Sequence, residues 1–473
     1  MIKTNKKPMN KTIKTKIGLL MMTIGVFLMS GLSAQNASRS LSLQEARQYA
    51  FENNQTIKNA KIDVSIAKKK VFETTAIGLP QVTASANYQH LFNVPSFSFP
   101  TTGYSQSPLT FAGATPAGFE QHAGVGGLNQ YVYSGPGFPI SPKDNTVFKL
   151  QVSQLIFSGE YIVGLQATKV FKLISEQSLI KSRIEIGAMV ESTYNLSLIL
   201  SENLLIVQQN KALTAQTLKE MVAINKAGFN EQSDIDQLQI NLNLLGNLEL
   251  SLQGQIKNVN NQLKYVLGME LTEELKLTDK LQDVISAVSP FDGREFNLKQ
   301  NIDFQMIENN VSAQKLSLRR EQSAYLPTLA AFYQHQEKQK QPALDFEPKD
   351  VLGVTLSVPI FSSGSRLMKV KQAKLALEKA QNSQSQLQKG LALQFDNQRL
   401  NYQTAYNTFL NQRESSSLSQ KIFDKTTAKF KQGVSSSLEL TQAQSQYLST
   451  VSSYYNSVLA LLNARVELQK LVY

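Results

Sequence analysis

The chain has 473 residues, of which 42% are hydrophobic and 18% are charged, a composition too polar for a helical membrane protein. It contains no cysteine and no tryptophan, which excludes a disulfide framework, a thiolate metal site and a cysteine-linked lipid anchor. The formal net charge is +12, but no basic stripe interleaved with aromatic residues accompanies it. Nucleic acid is therefore not an expected partner.

The first 34 residues have the parts of a secretory signal peptide. Residues 1–16 carry six lysines and no acid, residues 17–29 form an apolar core too short to span a bilayer, and Ala34 precedes a plausible cleavage point. Cleavage of residues 1–34 would leave 42 basic and 36 acidic residues in the mature chain. The alternative is that the apolar core is retained as a membrane anchor.

The stretch 351–361 predicts the clearest strand of the chain. Apolar residues alternate there with small or polar ones, so that one face of the strand is apolar and the other is not. Similar alternation predicts three more strands, at 81–92, 146–157 and 328–337. Residues 93–145 are rich in Gly, Pro, Ser and Phe without a period, which predicts one long surface loop.

Heptad spacing of apolar residues predicts that most of the remaining chain is helical. Two long proline-free helices follow strands, and each would reach ~100 Å at 1.5 Å per residue, so they must pack along other helices. The predicted helices are 41–79, 159–227, 231–268, 297–326, 363–432 and 435–471, with a connecting segment at 269–296. The predicted seam of the last helix has one row of Leu440, Tyr447, Tyr454, Leu461 and Leu468, and a second of Ala443, Thr450, Ser457 and Ala464.

The same order of elements occurs twice. Gly433 follows Gly228 by 205 residues, and the last seam repeats the seam of the earlier return helix at the same distance. Such regular spacing is typical of an internal duplication. We therefore divide the mature chain into a first structural repeat, 35–296, and a second, 297–473, each with a helix, two strands, a long helix and a return helix.

Each repeat supplies two strands, and four amphipathic strands are too few to close a barrel. An apolar sheet face with open edges would aggregate in water, and open edges are not tolerated in lipid. The sequence therefore predicts an oligomer that pools its strands in a membrane, with lipid outside and water inside. The alternatives are a soluble sandwich with one wet face and a soluble periplasmic coiled-coil scaffold.

Several short motifs accompany the duplication. They are the Ala-x-x-x-Leu-Pro-like ends Ala76–Pro80 and Ala324–Pro327, the run Val358-Pro359-Ile360-Phe361 with Gly364, a Lys-x-x-x-Gly turn near Lys431–Val434, and the final helix Ala464–Leu471. In this order, and with the 205-residue repeat, they make the whole mature chain resemble the TolC family of outer-membrane efflux proteins, the outer-membrane factors.

The resemblance implies a mainly α fold with a membrane β-barrel. A homotrimer would pool four strands per chain into a twelve-strand barrel in the outer membrane, above a long α-helical coiled-coil tunnel in the periplasm of a Gram-negative cell. It implies neither enzymatic activity nor a cofactor. The implied partners are the other two copies, a periplasmic adaptor (membrane fusion) protein, an inner-membrane pump of the RND or ABC type, and outer-membrane lipid.

The function that the resemblance implies is the exit duct of a tripartite efflux pump, which passes small molecules or drugs to the exterior. The alternative within the same class is the outer-membrane duct of a type I protein secretion system.

The resemblance also places a periplasmic gate at the turns between each long helix and its return helix, around Gly228 and Gly433. Family members can carry acids six and nine residues after the second glycine. Glu439 matches the first of these, Gln442 departs from the second, and Asp234 lies six residues after the first glycine. Because a ring of carboxylates attracts cations, Asp234 and Glu439 are candidate gate residues. The alternative is that both are first-turn acids favoured by the helix dipole.

Two apolar residues stand beside these glycines. Phe229 and Val434 are candidate adaptor contacts, because an exposed apolar residue at a tip often marks a docking site. The alternative is that each residue only braces its turn.

The three histidines do not form a recognisable metal site. His90, His122 and His335 lack ligand spacing, and we predict that they are polar girdle or loop residues.

Overall fold

A computed structural model gives the structure of residues 39–98, 100–105, 119–122, 128–134, 138–226, 231–291, 293, 295–341 and 345–472. The predicted signal peptide lies outside these residues. The described helices are α1 (Leu43–Asn53), α2 (Gln55–Ala76), α3 (Gly159–Lys226), α4 (Gln232–Leu267), α5 (Leu281–Ser286), α6 (Ile302–Ser323), α7 (Ser365–Lys431) and α8 (Ser437–Val472). The described strands are β1 (Arg39–Leu41), β2 (Gln81–His90), β3 (Ser96–Phe97), β4 (Pro100–Ser105), β5 (Phe119–His122), β6 (Asn129–Ser134), β7 (Phe138–Pro139), β8 (Asp144–Phe157), β9 (Leu275–Leu277), β10 (Thr328–Lys338) and β11 (Asp350–Ser357).

These residues fall into two compact units. The first unit comprises the described residues of 1–58, 182–296 and 393–473, and the second comprises those of 59–181 and 297–392. Each unit therefore draws residues from both predicted repeats. The main sheet belongs to the second unit, and the predicted gate belongs to the first.

The second unit is built around a four-stranded antiparallel sheet in the order β11-β10-β8-β2. Because neighbouring strands run in opposite directions, the starts of β2 and β10 and the ends of β8 and β11 lie at one end of the sheet. We call this the helix end, since α2, α3, α6 and α7 adjoin the strands there, and we call the opposite end the loop end.

One face of this sheet is apolar and exposed, as the alternation predicts. Leu352, Val354 and Leu356 share this face of β11 and are 80%, 65% and 63% exposed. On the other face the ring of Phe332 lies against β11, where a Cβ at Gly353 would come within 2.6 Å of it. The glycine is therefore required for this close approach between the two strands.

Two predicted boundaries of the strand region differ from the structure. β11 ends at Ser357 instead of residue 361, because Pro359 has no N–H to donate to a ladder. The predicted loop 93–145 is not without regular structure, since β3 pairs with β7 and the strands β4, β6 and β5 form a small sheet. Short strands of two to six residues leave no readable period in a sequence rich in Gly and Pro.

At the loop end of the sheet, both hairpins carry a Tyr, a His and an Asp in the same arrangement. The hydroxyl of Tyr88 donates to Oδ1 of Asp144 at 2.9 Å, and Nδ1 of His90 lies 2.7 Å from the same oxygen. The counterparts in the second repeat, with both distances 2.7 Å, are Tyr333, His335 and Asp350. His90 and His335 therefore each contact an aspartate of their own hairpin. Each of these His–Asp contacts joins two neighbouring strands at the end of their ladder and so favours the observed register.

The first predicted helix is two helices, α1 and α2, separated at Asn54. Asn54 has an extended backbone, and its Oδ1 accepts from the N–H of Thr56 at 2.8 Å, while its Nδ2 donates to the carbonyl of Val266 at 2.7 Å. The heptad spacing did not predict this break because Ala50 and Ile57, on its two sides, are both fully buried. None of the helices in the described part of the chain is both long and apolar enough to cross a membrane.

In α8 one predicted seam row is largely confirmed and the other is wrong by one residue. The buried members of the first row are Leu440, Tyr447, Leu461 and Leu468. The second buried row is Gln444, Val451 and Val458, whereas of the predicted row only Ser457 is buried. Valine buries more apolar surface than alanine or threonine, which favours the observed rotation of the helix.

Candidate functional site

The turn between α7 and α8, which we call the second tip, requires a glycine. Gly433 has φ +74°, in the left-handed region that residues with a Cβ rarely adopt. Its N–H donates to the carbonyl of Phe430 at 2.9 Å, and the N–H of Val434 donates to the carbonyl of Lys429 at 3.0 Å, which closes the end of α7. Val434 is 72% exposed, so its side chain contributes little packing to the turn.

The turn between α3 and α4, the first tip, is described only in part. Gly228 and Phe229 lie outside the described residues. Glu231 precedes α4 in an extended conformation and makes no capping bond with its side chain. Asp234 is the third residue of α4, as Glu439 is the third residue of α8. Both candidate gate acids thus lie in a first helical turn, where the dipole favours negative charge.

Asp234 is half-buried and contacts the second tip. Its Oδ1 accepts a short hydrogen bond from the hydroxyl of Ser437, the first residue of α8. Ser437 is itself buried. This bond joins the starts of the two return helices, so removal of either group would leave the other without this partner.

Glu439 is exposed and bonds within its own tip. Its Oε2 accepts a short hydrogen bond from the hydroxyl of Ser435, and its N–H donates to Oγ of Ser436 at 3.2 Å. The bond from Ser435, a backbone hydrogen bond of Ser436 and the charge of Lys429 together lower the pKa of the Glu439 carboxyl from its usual value. The carboxylate is therefore ionised at neutral pH.

An open groove of about 360 Å³ lies beside Glu439. Gln442 lines the same groove, one helical turn further along α8, and Lys429 lines it from α7. Positions 439 and 442, where the resemblance places acids, therefore line the same groove, and of these two residues only Glu439 is charged. Asp234 does not line this groove, and its carboxylate bonds to Ser437, whereas that of Glu439 bonds to Ser435.

A buried polar layer, which the sequence analysis did not predict, crosses the first unit close to the tips. Oε1 of Gln444 on α8 accepts from Nδ2 of Asn241 on α4 at 2.6 Å. Its Nε2 donates to Oγ1 of Thr214 at 3.0 Å and to Oδ1 of Asn210 at 3.3 Å, both on α3. All four side chains are buried. A polar residue inside a helical seam specifies register, because any shift leaves buried amides unpaired.

The sequence contains only a weak indication of this buried polar layer. Gln444 adjoins Ala443, a member of the predicted second seam row, and Asn241 lies on the return helix of the first repeat. Polar residues beside a seam are usually solvated, so only the rotation of the helices could reveal that these two face each other.

The exposed charge of Glu439 suits the second tip to electrostatic binding. Among the described residues, no group of three or more His, Asp or Glu side chains is arranged to hold a metal ion. His122 lies on β5, and its Nε2 is 3.5 Å from the Glu120 carboxylate. The carboxylate of Glu439 can attract cations at the surface of the tip.

One family model matches the C-terminal part of the chain. Residues 297–472 match the family model described as outer membrane efflux protein. No curated protein sequence matches the chain.

Solved structures share the fold over most of the chain. Each of the three that follow is aligned with 91% of this chain. VceC from Vibrio cholerae has 13% identity, 95% of its own chain covered and a TM-score of 0.65. CmeC of Campylobacter jejuni has 17% identity, 85% of its own chain covered and a TM-score of 0.64. The open state of MtrE of Neisseria gonorrhoeae has 13% identity, 88% of its own chain covered and a TM-score of 0.63.

These findings bear on two predictions. The family match agrees with the predicted resemblance to outer-membrane efflux proteins over residues 297–472. The structural likeness confirms the mainly helical fold class with a strand region.

Proposed function

We propose that this chain, whose residues 297–472 match the outer membrane efflux protein family, is the outer-membrane exit duct of a tripartite efflux pump. The duct passes small molecules or drugs from the periplasmic side to the exterior. It is passive, because the transport energy comes from a separate inner-membrane pump.

The observation that supports this proposal best is the incomplete sheet of the second unit. Its edge strands β2 and β11 each have one neighbour in the described chain, and the apolar face made by residues such as Leu352 is exposed. Neither the open edges nor the apolar face is stable in a single copy in water or in lipid. Pooling sheets from several copies into one barrel removes the edges and turns the apolar face toward lipid.

We propose three copies and a twelve-strand barrel. Four strands per chain supply twelve strands in a trimer, which is enough to enclose a water-filled lumen. The trimer is the assembly that the family resemblance implies. The long helices α3 and α7 then contribute to a helical tunnel in the periplasm, and the predicted repeats remain our division of the chain, with the first at 35–296 and the second at 297–473.

We propose that Glu439 faces the aperture at the periplasmic end of the duct. Its exposed carboxylate and lowered pKa support this role, because the charge is present at neutral pH and open to solvent. Asp234 is proposed as the second gate residue, acting through its bond to Ser437, which holds the two tips together. The turns at Gly228 and Gly433 complete this gate.

We propose that the tips dock a periplasmic adaptor protein, which links the duct to an inner-membrane pump of the RND or ABC type. Val434 supports this contact because its apolar side chain is 72% exposed beside a rigid turn. Phe229 is its proposed counterpart at the first tip. Cysteine variants at these two positions should crosslink to the adaptor, whereas crosslinking that occurs only at the barrel end would refute the placement.

The channel proposal is tested by purifying the mature chain from outer membranes and measuring its conductance in planar bilayers. We expect discrete single-channel steps, and we expect Glu439→Ala to lower cation selectivity and to weaken block by polyvalent cations. Absence of conductance from a folded protein would contradict the duct, and unchanged selectivity and block in the variant would contradict the gate role. Loss of drug export in a deletion strain, with retained polypeptide secretion, would favour efflux over type I secretion.

A further inference from the structure

Basic side chains are concentrated at the helix end of the sheet. Stretches of thirteen residues that adjoin the four strands there, 68–80, 158–170, 315–327 and 358–370, contain nine basic and three acidic residues. We call the nine basic residues the basic collar; they are Lys68, Lys69, Lys70, Lys169, Lys315, Arg319, Arg320, Arg366 and Lys369.

Most of the basic collar is exposed and lacks a local counter-charge. Eight of its nine side chains are exposed and Arg366 is half-exposed. Lys70 pairs with Glu73 at 2.8 Å, and Arg320 pairs with Glu321 at 2.9 Å. Within the part of the chain that the structure describes, the other seven have no ion-pair partner. Their charges are therefore available to a partner outside the chain.

Exposed apolar residues lie between the collar and the strands. After β11 these include Ile360 and Phe361, which are 93% and 85% exposed. Before β2 and β10 they include Leu79 and Tyr325, each about half-exposed. Along the chain, the apolar sheet face is thus followed by apolar junctions and then by basic charges. That sequence of environments matches hydrocarbon, interface and headgroup region of one bilayer leaflet.

The loop end of the same sheet has a different charge arrangement. Nζ of Lys338 lies 2.8 Å from carboxylates of both Asp345 and Glu347, and Nζ of Lys349 lies 2.9 Å from Glu337. Lys338 and Lys349 are thus neutralised within the chain, whereas Lys143 and Lys340 at the same end are exposed and have no ion pair among the described residues. The helix end has the larger excess of unpaired basic charge, seven collar residues in the described chain against these two lysines, which favours anionic groups outside the chain at that end.

We propose that the basic collar binds the headgroups of anionic phospholipids in the periplasmic leaflet of the outer membrane. The exposed junction residues insert beside the acyl chains, and the lysine and arginine side chains contact the phosphodiesters. This contact sets the depth of the barrel in the bilayer. It depends on the outer-membrane placement of the sheet and not on the cargo of the duct.

The test compares the protein in lipid nanodiscs of phosphatidylcholine with and without phosphatidylglycerol. The collar variant carries Lys68→Gln, Lys69→Gln, Arg366→Gln and Lys369→Gln. The matched control removes four exposed charges outside these stretches, with Lys219→Gln, Lys257→Gln, Lys389→Gln and Lys421→Gln. A third variant keeps the charge with Lys68→Arg, Lys69→Arg, Arg366→Lys and Lys369→Arg. Thermal unfolding and the phosphatidylglycerol retained after delipidation are measured for each protein.

We expect phosphatidylglycerol to raise the midpoint of unfolding of the wild type by several degrees, and a high-salt wash to reduce the retained lipid. The collar variant should lose most of the rise in unfolding midpoint and most of the retained phosphatidylglycerol. The retained lipid should fall by at most about fivefold for each charge removed. The control and the charge-retaining variant should behave as the wild type. Equal lipid retention in the collar variant and the control would overturn the proposal, as would a change of ion selectivity without any change in lipid. Single-channel conductance of the same samples tests the duct separately.

Discussion

The two return helices begin alike and then differ in what their third residue contacts. Asp234 in α4 and Glu439 in α8 occupy the same position of a first turn. Asp234 is half-buried and accepts from Ser437 of the other helix, whereas Glu439 is exposed and accepts from Ser435 of its own tip. Equivalent positions of the two predicted repeats therefore have different contacts: Asp234 bonds to the other tip, and Glu439 bonds within its own tip and is exposed.

Further along, the same helices come together at a shared polar layer. Asn241 lies seven residues after Asp234, and Gln444 lies five residues after Glu439, and the two amides bond to each other at 2.6 Å. We infer that the buried polar layer around Gln444 holds the helices in register. The contacts of Asp234 and Glu439 can therefore differ without a shift of either helix. The predictions below test each level of this arrangement, beginning with the layer.

Replacement of the central amide should have the largest effect on stability. Gln444→Leu leaves Asn241, Thr214 and Asn210 without this buried partner, which costs about 1–3 kcal/mol for each group that stays unpaired. We expect a loss of several kcal/mol in the free energy of unfolding, measured by denaturant titration of the purified protein. Gln446→Leu, on an exposed part of the same helix, is the control and should be nearly neutral. Equal stability of the two variants would show that the layer does not hold the register.

Separation of the tips should have the next largest effect, on conductance. Asp234→Ala leaves the buried hydroxyl of Ser437 without this acceptor and removes the bond between the two return helices. We expect single-channel conductance to rise severalfold in planar bilayers. Asp236→Ala removes an exposed acid of the same turn and should leave conductance close to that of the wild type. If both variants conduct alike, the bond between the tips does not restrain the aperture.

Neutralisation of the exposed acid should have a smaller and pH-dependent effect. The pKa of Glu439 is lowered from its usual value of 4.5 by the bond from Ser435. The carboxylate, with the stability it contributes, is therefore fully present above pH 4.5 and is lost only as the pH falls through the lowered pKa. We expect cation selectivity of the wild type to persist down to about pH 4.5 and then to approach that of Glu439→Gln. A selectivity that is already lost at pH 6 would contradict this assignment.

The smallest effect on stability is expected at the exposed tip residue. Val434→Ser should change the free energy of unfolding by no more than about 0.5 kcal/mol, because the side chain is 72% exposed. The variant's affinity for the adaptor, measured by titrating adaptor over the immobilised protein, should fall clearly. An unchanged affinity would show that the Val434 side chain does not contact the adaptor.

Sequence patterns predicted the strands and long helices because periods of two and of about 3.5 are direct consequences of backbone geometry. They did not predict the break at Asn54, since buried Ala50 and Ile57 keep the heptad spacing across it. Nor did they reveal the rotation that buries Gln444 instead of Ala443. Both depend on which neighbour a helix packs against, and one-dimensional spacing does not specify the neighbour.

At the candidate gate, too, the sequence indicated positions but not the contacts made there. The resemblance named Glu439 and Asp234 from their distance to a glycine, and the structure places both in first turns. The partner of Asp234, Ser437, lies 203 residues away in the sequence, so no local pattern could have identified it.

The central claim is that several copies must complete a shared barrel. Among the described strands β2 and β11 each have one neighbour, and one face of their sheet is apolar and exposed. The most direct measurement is the native mass of the detergent-solubilised protein extracted from outer membranes. The account predicts a particle of three chains that forms conducting channels in bilayers. A folded single-chain particle, or a mature product free in the periplasm without detergent, would contradict it.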